Sequence, residues 1–353
     1  MTGKGHFTDG IIIKTMDPVK TTVHFEPTFK GLKHPNTMDC KAIFEDGSEH
    51  LKRYLSIGGG AYTDENGIYE VRDAYPFSTF NEMVSFMHEH KVNDIYNLIE
   101  MFEDDDILQY GISLLKDSFH TLEEALKRDC LLPGELGLST VSGKIQKRAK
   151  ETTESGERRI LFLTAYAYAT SESNALGKMV VTAPTCGSAG VVPAVLYYEY
   201  KNSHYSIIEL AKAYLVGALV CNFIKENASL SGALLGCQAE IGSASSFASA
   251  SLSYLHHLSV KQIEYASEVA MEHFLGLTCD PVNGYVQIPC IERNAMAAIH
   301  SYASYLFAKD ISPYRCNKVS FDNVVSAMRE TGNGLPTELK ETSLGGLAKI
   351  LHC

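Results

Sequence analysis

The chain has 353 residues, enough for two domains, and 42 acidic against 31 basic side chains give a formal charge of −11. Hydrophobic residues at 45% and charged residues at 21% exclude a disordered chain. The acid excess argues against broad nucleic-acid or membrane-surface binding, since both need a basic patch. No basic-then-apolar leader opens the chain, so a cytoplasmic location is expected. Nine cysteines are too sparse for a disulfide scaffold and read as buried thiols, metal ligands or nucleophiles in a reducing compartment.

In chain order, the β-branched stretches Gly10–Thr15 and Lys20–Phe25 alternate with turn-rich pieces. Tyr54-Leu-Ser-Ile57 then runs into Gly58-Gly-Gly60. This predicts a small α+β unit closed by a glycine turn, with a boundary near Asp73–Ser78. Helical spacing predicts helices over Asn81–His90, Val92–Phe102, Asp106–Cys130, Arg158–Thr170, Ile207–Lys225, Val260–Phe274 and Asn294–Phe307, with Ser78 as a cap for the first. Ile207–Lys225 is apolar nearly all round and is expected at the centre. Ala239–Leu258 is a further helix whose Ala and Ser side chains let a neighbour come close. Two uncharged runs, Met179–Tyr198 and Ile241–Val260, are interrupted by Pro and Gly or carry seven serines, and read as buried soluble segments. The fold class is α+β: residues 1–75 form a small N-terminal α/β domain, incomplete at its start, and residues 76–353 a large all-α catalytic domain.

Three loops concentrate potential ligands: Thr182-Ala-Pro-Thr-Cys-Gly-Ser-Ala-Gly190, Leu230–Gln238, and Leu277–Pro281 running on to Ile288–Asn294. Cys237, Cys279 and Cys290 each stand at a loop edge. Three thiolates with an open fourth position suit a catalytic metal or an iron–sulfur cluster. Their separations of 42 and 11 residues match no compact metal motif, and free cysteines also serve as small buried hydrophobes. Cys186 offers a rival chemistry. A thiol ahead of an apolar helix could be an acidified nucleophile, or the same loop could hold a carboxylate on its free N–H groups. His273 reads as a hydrogen-bonded core histidine, and Tyr62, Asp64 and Glu65 as a solvated turn. Arg293 either binds a substrate carboxylate bidentately or pairs with acidic neighbours.

Asn227-Ala-Ser-Leu-Ser-Gly232, Gly236-Cys-Gln238, Ala270-Met-Glu-His273, Gly276-Leu-Thr-Cys-Asp-Pro281 and Gln287-Ile-Pro-Cys-Ile-Glu-Arg-Asn-Ala295 resemble the catalytic domain of the iron–sulfur-dependent L-serine dehydratases. Glu330-Thr-Gly and Lys340-Glu-Thr-Ser-Leu-Gly-Gly-Leu-Ala348 are similar to that family's C-terminus. Gly3-Lys-Gly-His-Phe-Thr-Asp9 and Ser56-Ile-Gly-Gly-Gly60 are similar to its N-terminal domain. The resemblance implies a lyase that converts L-serine to pyruvate and ammonia with a [4Fe–4S] cluster and no PLP. Cys237, Cys279 and Cys290 would be the cluster ligands and Cys353 the tail cysteine that reaches the fourth iron. His6 would be the catalytic histidine, and Thr182, Thr185, Cys186, Gly187 and Arg293 would contact substrate. Cys186 departs from the family's usual Asn, and Phe274 from another. The family's Ser-Ser-Ser-His-Thr segment has no counterpart after Met1, so an incomplete product, or one half of a split enzyme needing a second chain, is expected. A homodimer is implied by the resemblance.

Overall fold

The computed structural model describes residues 8–26, 31, 32, 34, 36–58, 61–64 and 74–350. Three antiparallel strands, β1 (Thr37–Ile43), β2 (Glu49–Gly58) and β3 (Ala61–Asp64), make one sheet in chain order, with Met38 opposite Tyr54. Helix α1 (Thr8–Met16) precedes them. It corrects the strand expected over Gly10–Thr15: Asp9 in its first turn and Lys14 in its last complement the helix dipole, which outweighs the β-branched isoleucines. None of its side chains is buried. Tyr62 and Asp64 lie on β3 and not in a turn; Tyr62 is exposed and Asp64 faces Lys52 at 3.6 Å, while Glu65 lies outside the described residues.

The rest is helical: α2 (Phe80–Glu89), α3 (Ile95–Glu100), α4 (Ile107–Ala125), α5 (Ser142–Glu151), α6 (Ser155–Ala175), α7 (Val191–Tyr198), α8 (Ile207–Asn227), α9 (Gly232–Leu235), α10 (Ile241–Leu255), α11 (Val260–Glu272), α12 (Cys290–Asp310), α13 (Phe321–Gly334) and α14 (Gly346–Ile350). The architecture is the expected α+β. Thr79, one residue past the expected Ser78, caps α2 in a reciprocal box with Glu82. The Asp322 carboxylate of α13 also accepts the Phe80 and Asn81 N–H groups there, at 2.9 and 3.0 Å. Tyr75 and Phe77 already pack edge-to-face with Phe102, so the chain joins the helical core before α2 begins.

Helix α10 is the axis of this core, packed on α7, α8, α11 and α12 and buried along nearly its whole length. Three of its buried serines bond backbone carbonyls, Ser246 to Ser267, Ser249 to Ala266 and Ser251 to Phe247, all within 3.1 Å. Helix α8 is long and apolar enough to cross a membrane, but most of that apolar stretch is buried against α10, α4 and α3. Helices α5 and α13 were not foreseen. α5 is strongly polar and buries Ser142 and Ala149, while α13 ends in Gly332 and Gly334, which masks its apolar stripe.

Candidate metal centre and active site

Cys237 opens a short 3-10 turn after α9, released from that helix by Gly236 in the left-handed region at φ +79°. Gln238 fixes this turn to the next cysteine loop. Its Nε2 donates to the Leu235 and Met328 carbonyls at 2.8 and 3.2 Å, and its Oε1 accepts the Gly276 N–H at 3.0 Å. Cys279 is held by its backbone: its N–H donates to Leu339 at 2.8 Å and its carbonyl accepts the Glu341 N–H at 2.6 Å. The C-terminal segment thus lies strand-like against the loop. Cys290 is the first residue of α12.

One turn further along α12, buried Asn294 fastens that helix to loop 182–190. Its Oδ1 accepts the Gly190 N–H at 2.9 Å, and its Nδ2 donates to the Gly187 and Cys290 carbonyls at 2.8 and 2.9 Å. In that loop Thr185 is buried, its hydroxyl donating to Glu240 Oε1 at 2.8 Å and lying 2.9 Å from Ser188 Oγ. Thr182 and Cys186 are exposed.

These elements converge on one cavity lined by Cys237, Cys279, Cys290, Glu240, Arg293 and Glu341, with Gly187 at its edge. The Arg293 guanidinium donates to the Thr278 carbonyl at 2.7 Å and to buried Asp280 at 3.1 Å. Each terminal nitrogen of Arg293 thus has one protein partner and a second N–H left over. A hydrogen bond to Cys237, then burial, pushes the Cys279 thiol well above its ordinary range. Burial, then the charges of Cys237 and Glu240, does the same to Cys290. Burial lifts the Glu341 carboxyl to about 7. Thiols so placed release their protons when a metal takes them, and three sulfur donors beside a guanidinium fit a soft metal or an anionic iron–sulfur cluster.

The profile of the family described as serine dehydratase alpha chain matches residues 81–348. The chain is 37% identical over 335 residues to an L-serine dehydratase of Streptomyces coelicolor, covering 91% of this chain and 73% of that one. It is 38% identical over 342 residues to an L-serine dehydratase of Helicobacter pylori strain 26695, at 91% and 74% coverage. It is 34% identical over 351 residues to L-serine dehydratase 2 of Escherichia coli K12, at 95% and 76%.

The chain belongs to the serine dehydratase family. It is therefore an enzyme of the lyase class. Against that family the placement of the expected residues divides. Cys237, Cys279, Cys290, Gly187 and Arg293 meet at one cavity, and Thr185 reaches it through Glu240. His6 and Cys353 lie outside the described residues. Cys186 stands four residues ahead of the N-cap of α7, and desolvation followed by the Glu240 carboxylate pushes its thiol up. That is the reverse of the acidification a nucleophile needs. His273 is not a core residue: it is exposed at the end of α11, its Nδ1 2.9 Å from the Val269 carbonyl. Glu240 and Glu341 were missed. Glu240 follows Cys237 by three residues, and Glu341 sits in the Lys340-Glu-Thr-Ser motif, so both were within sight of the sequence signals.

Proposed function

We propose that this serine dehydratase family member eliminates water from L-serine, giving an aminoacrylate that tautomerises and hydrolyses to pyruvate and ammonia. The observation that carries the reading is the convergence of three thiols from three separate segments with Arg293 on one cavity. In this reading Cys237, Cys279 and Cys290 hold a [4Fe–4S] cluster, with Cys353 as a tail thiolate for the remaining iron. When bound, the cluster would supply a Lewis acid for the substrate's carboxylate and β-hydroxyl.

The chain's own groups do the rest. Thr182, Thr185, Cys186 and Gly187 present hydroxyl, thiol and backbone donors to the substrate from a loop that Asn294 holds against α12. Arg293 contributes positive charge to a cavity that must accept thiolates and a carboxylate, from a position fixed by Asp280. His6 takes the Cα proton in this scheme, since an imidazole is the side chain best matched to that transfer near neutral pH. We assign residues 1–75 to an N-terminal domain bringing His6 to the cavity and residues 76–353 to the catalytic domain, and place the enzyme in the reducing cytoplasm. Pyruvate release from L-serine by the anaerobically reconstituted full chain tests the reading. Turnover that survives removal of all iron would overturn it.

A further inference from the structure

We infer that the cavity between the start of α11 and the α12–α13 connection binds a small organic dianion, a phosphate monoester or a dicarboxylate. The cavity measures about 270 Å³, and Lys261, Gln262, Tyr265, Arg315, Cys316 and Asn317 are among the residues that line it. That volume is roughly nine waters at about 30 Å³ each, room for a ligand of about ten non-hydrogen atoms. One cation comes from each wall, and among the described residues no carboxylate lines the space, in a chain of net charge −11. Lys127, Lys144 and Lys201 each meet a carboxylate at 2.6–3.1 Å, whereas among the described residues Lys261 and Arg315 have no ion-pair partner. Glu264 and Asp310, the acids nearest these two in the chain, lie outside the lining. Glu264 is engaged elsewhere, its Oε1 accepting the Phe321 N–H at 3.3 Å.

Local structure holds both walls. Ser259 caps α11 in a reciprocal box with Gln262. The Gln262 Nε2 then donates to the Ala308 carbonyl of α12 and to Ser312 Oγ, both at 3.1 Å. Arg315 is placed by its N–H on the Ile311 carbonyl at 3.1 Å, and Asn317 by its Nδ2 on the Val319 carbonyl at 3.0 Å. The exposed side chains of Lys261 and Arg315 are therefore presented from an ordered backbone. An arginine fork matches two oxygens of a carboxylate or phosphate, and a lysine adds a point charge. The first turn of α11, which lines the cavity, adds the positive end of its dipole. A dianion is the charge that two cations balance. The cavity lies at the ends of α11 and α12 remote from Cys279 and Cys290. The 21 residues of α12, at about 1.5 Å each, put about 30 Å between it and Cys290. The site is thus separate from the metal centre and does not rest on the proposed function.

Cys316 shares the lining and is exposed, so its alkylation reads occupancy of the site. The full chain is treated with neutral iodoacetamide at fixed ionic strength, in chloride alone, with inorganic phosphate or with succinate. Labelling is then mapped by peptide mass spectrometry, with exposed Cys130, which lies outside the cavity, as the internal reference. At least one dianion should slow labelling of Cys316 several-fold and leave Cys130 unchanged; protection by phosphate alone assigns the phosphate class, and by succinate alone the dicarboxylate class. Lys261→Gln and Arg315→Gln should each raise the dianion concentration needed about tenfold, the lower end of what a hydrogen bond to a charged group supplies. Lys318→Gln removes a neighbouring exposed charge outside the cavity and should leave that concentration unchanged. The site is overturned if neither dianion protects Cys316. It is equally overturned if Lys318→Gln costs as much as Arg315→Gln, because the effect would then be diffuse attraction to surface charge.

Discussion

The Asp280 carboxylate joins the arginine of the cavity to the C-terminal segment: Oδ1 accepts Arg293 Nη2 at 3.1 Å and Oδ2 accepts the Leu347 N–H at 2.9 Å. The fit is close, because a Cβ on Gly346 would lie 2.2 Å from Oδ2. Ser343 adds a bond to the Pro281 carbonyl at 2.7 Å. The wall that carries Glu341 is therefore fastened by the residue next to Cys279. Asp280→Ala would leave the half-buried Arg293 guanidinium without its carboxylate and the Leu347 N–H without its acceptor, and a loss of about 1–3 kcal/mol is expected in urea unfolding. Limited proteolysis of the same variant should cut within residues 341–350 sooner than in the parent. An unchanged midpoint and cleavage rate would show that the carboxylate fastens nothing.

Asn294 makes three hydrogen bonds with no exposure to solvent, so Asn294→Ala strands the Gly190 N–H and the Gly187 carbonyl. About 1–3 kcal/mol of stability should be lost for each group left unpaired. Since the loop is the proposed substrate contact, KM for serine should rise more than kcat falls. Steady-state kinetics check this, and a kcat loss at constant KM would contradict it.

Much of this region was legible in the sequence, and the reasons are physical. Long apolar helices such as α8 and α4 declare themselves by spacing, and the contexts of Cys237, Cys279 and Cys290 are specific enough to single them out among nine cysteines. What could not be read is pairing across the chain. That Asn294 meets Gly187, or that Leu339–Glu341 lies along Cys279, depends on tertiary contacts spanning 107 and about 60 residues. Helix α1 was misread because its isoleucines favour strands, whereas the charges at its ends decide the matter.

Glu268 on α11 is buried, and desolvation together with a hydrogen bond to Glu272 lifts its carboxyl to about 8. Its folded value lies above the unfolded value of about 4.3, so between these pH values the native state binds more protons than the unfolded one. Stability from this pair is therefore fully present below about pH 4 and lost as pH rises through 8. Urea midpoints should fall from pH 5 to pH 8 in the parent, and less steeply in Glu268→Gln. Identical slopes would contradict the assignment.

Cys186 is exposed, and its loop is held by Asn294, so exchange at this position should leave the thiol ligands untouched. A thiol is a weak donor, and an amide makes stronger hydrogen bonds. Cys186→Asn is expected to lower KM for serine with iron content unchanged. Loss of iron in this variant would make Cys186 a support of the metal centre instead.

The most direct test is the iron and sulfide content of the anaerobically reconstituted chain beside Cys237→Ala, Cys279→Ala and Cys290→Ala, with pyruvate from L-serine measured on the same samples. The account predicts about four irons per parent chain, the composition of a [4Fe–4S] cluster. It also predicts loss of both iron and turnover in each variant. A parent that remains iron-free after reconstitution, or a Cys290→Ala protein that keeps its iron and its activity, would contradict it.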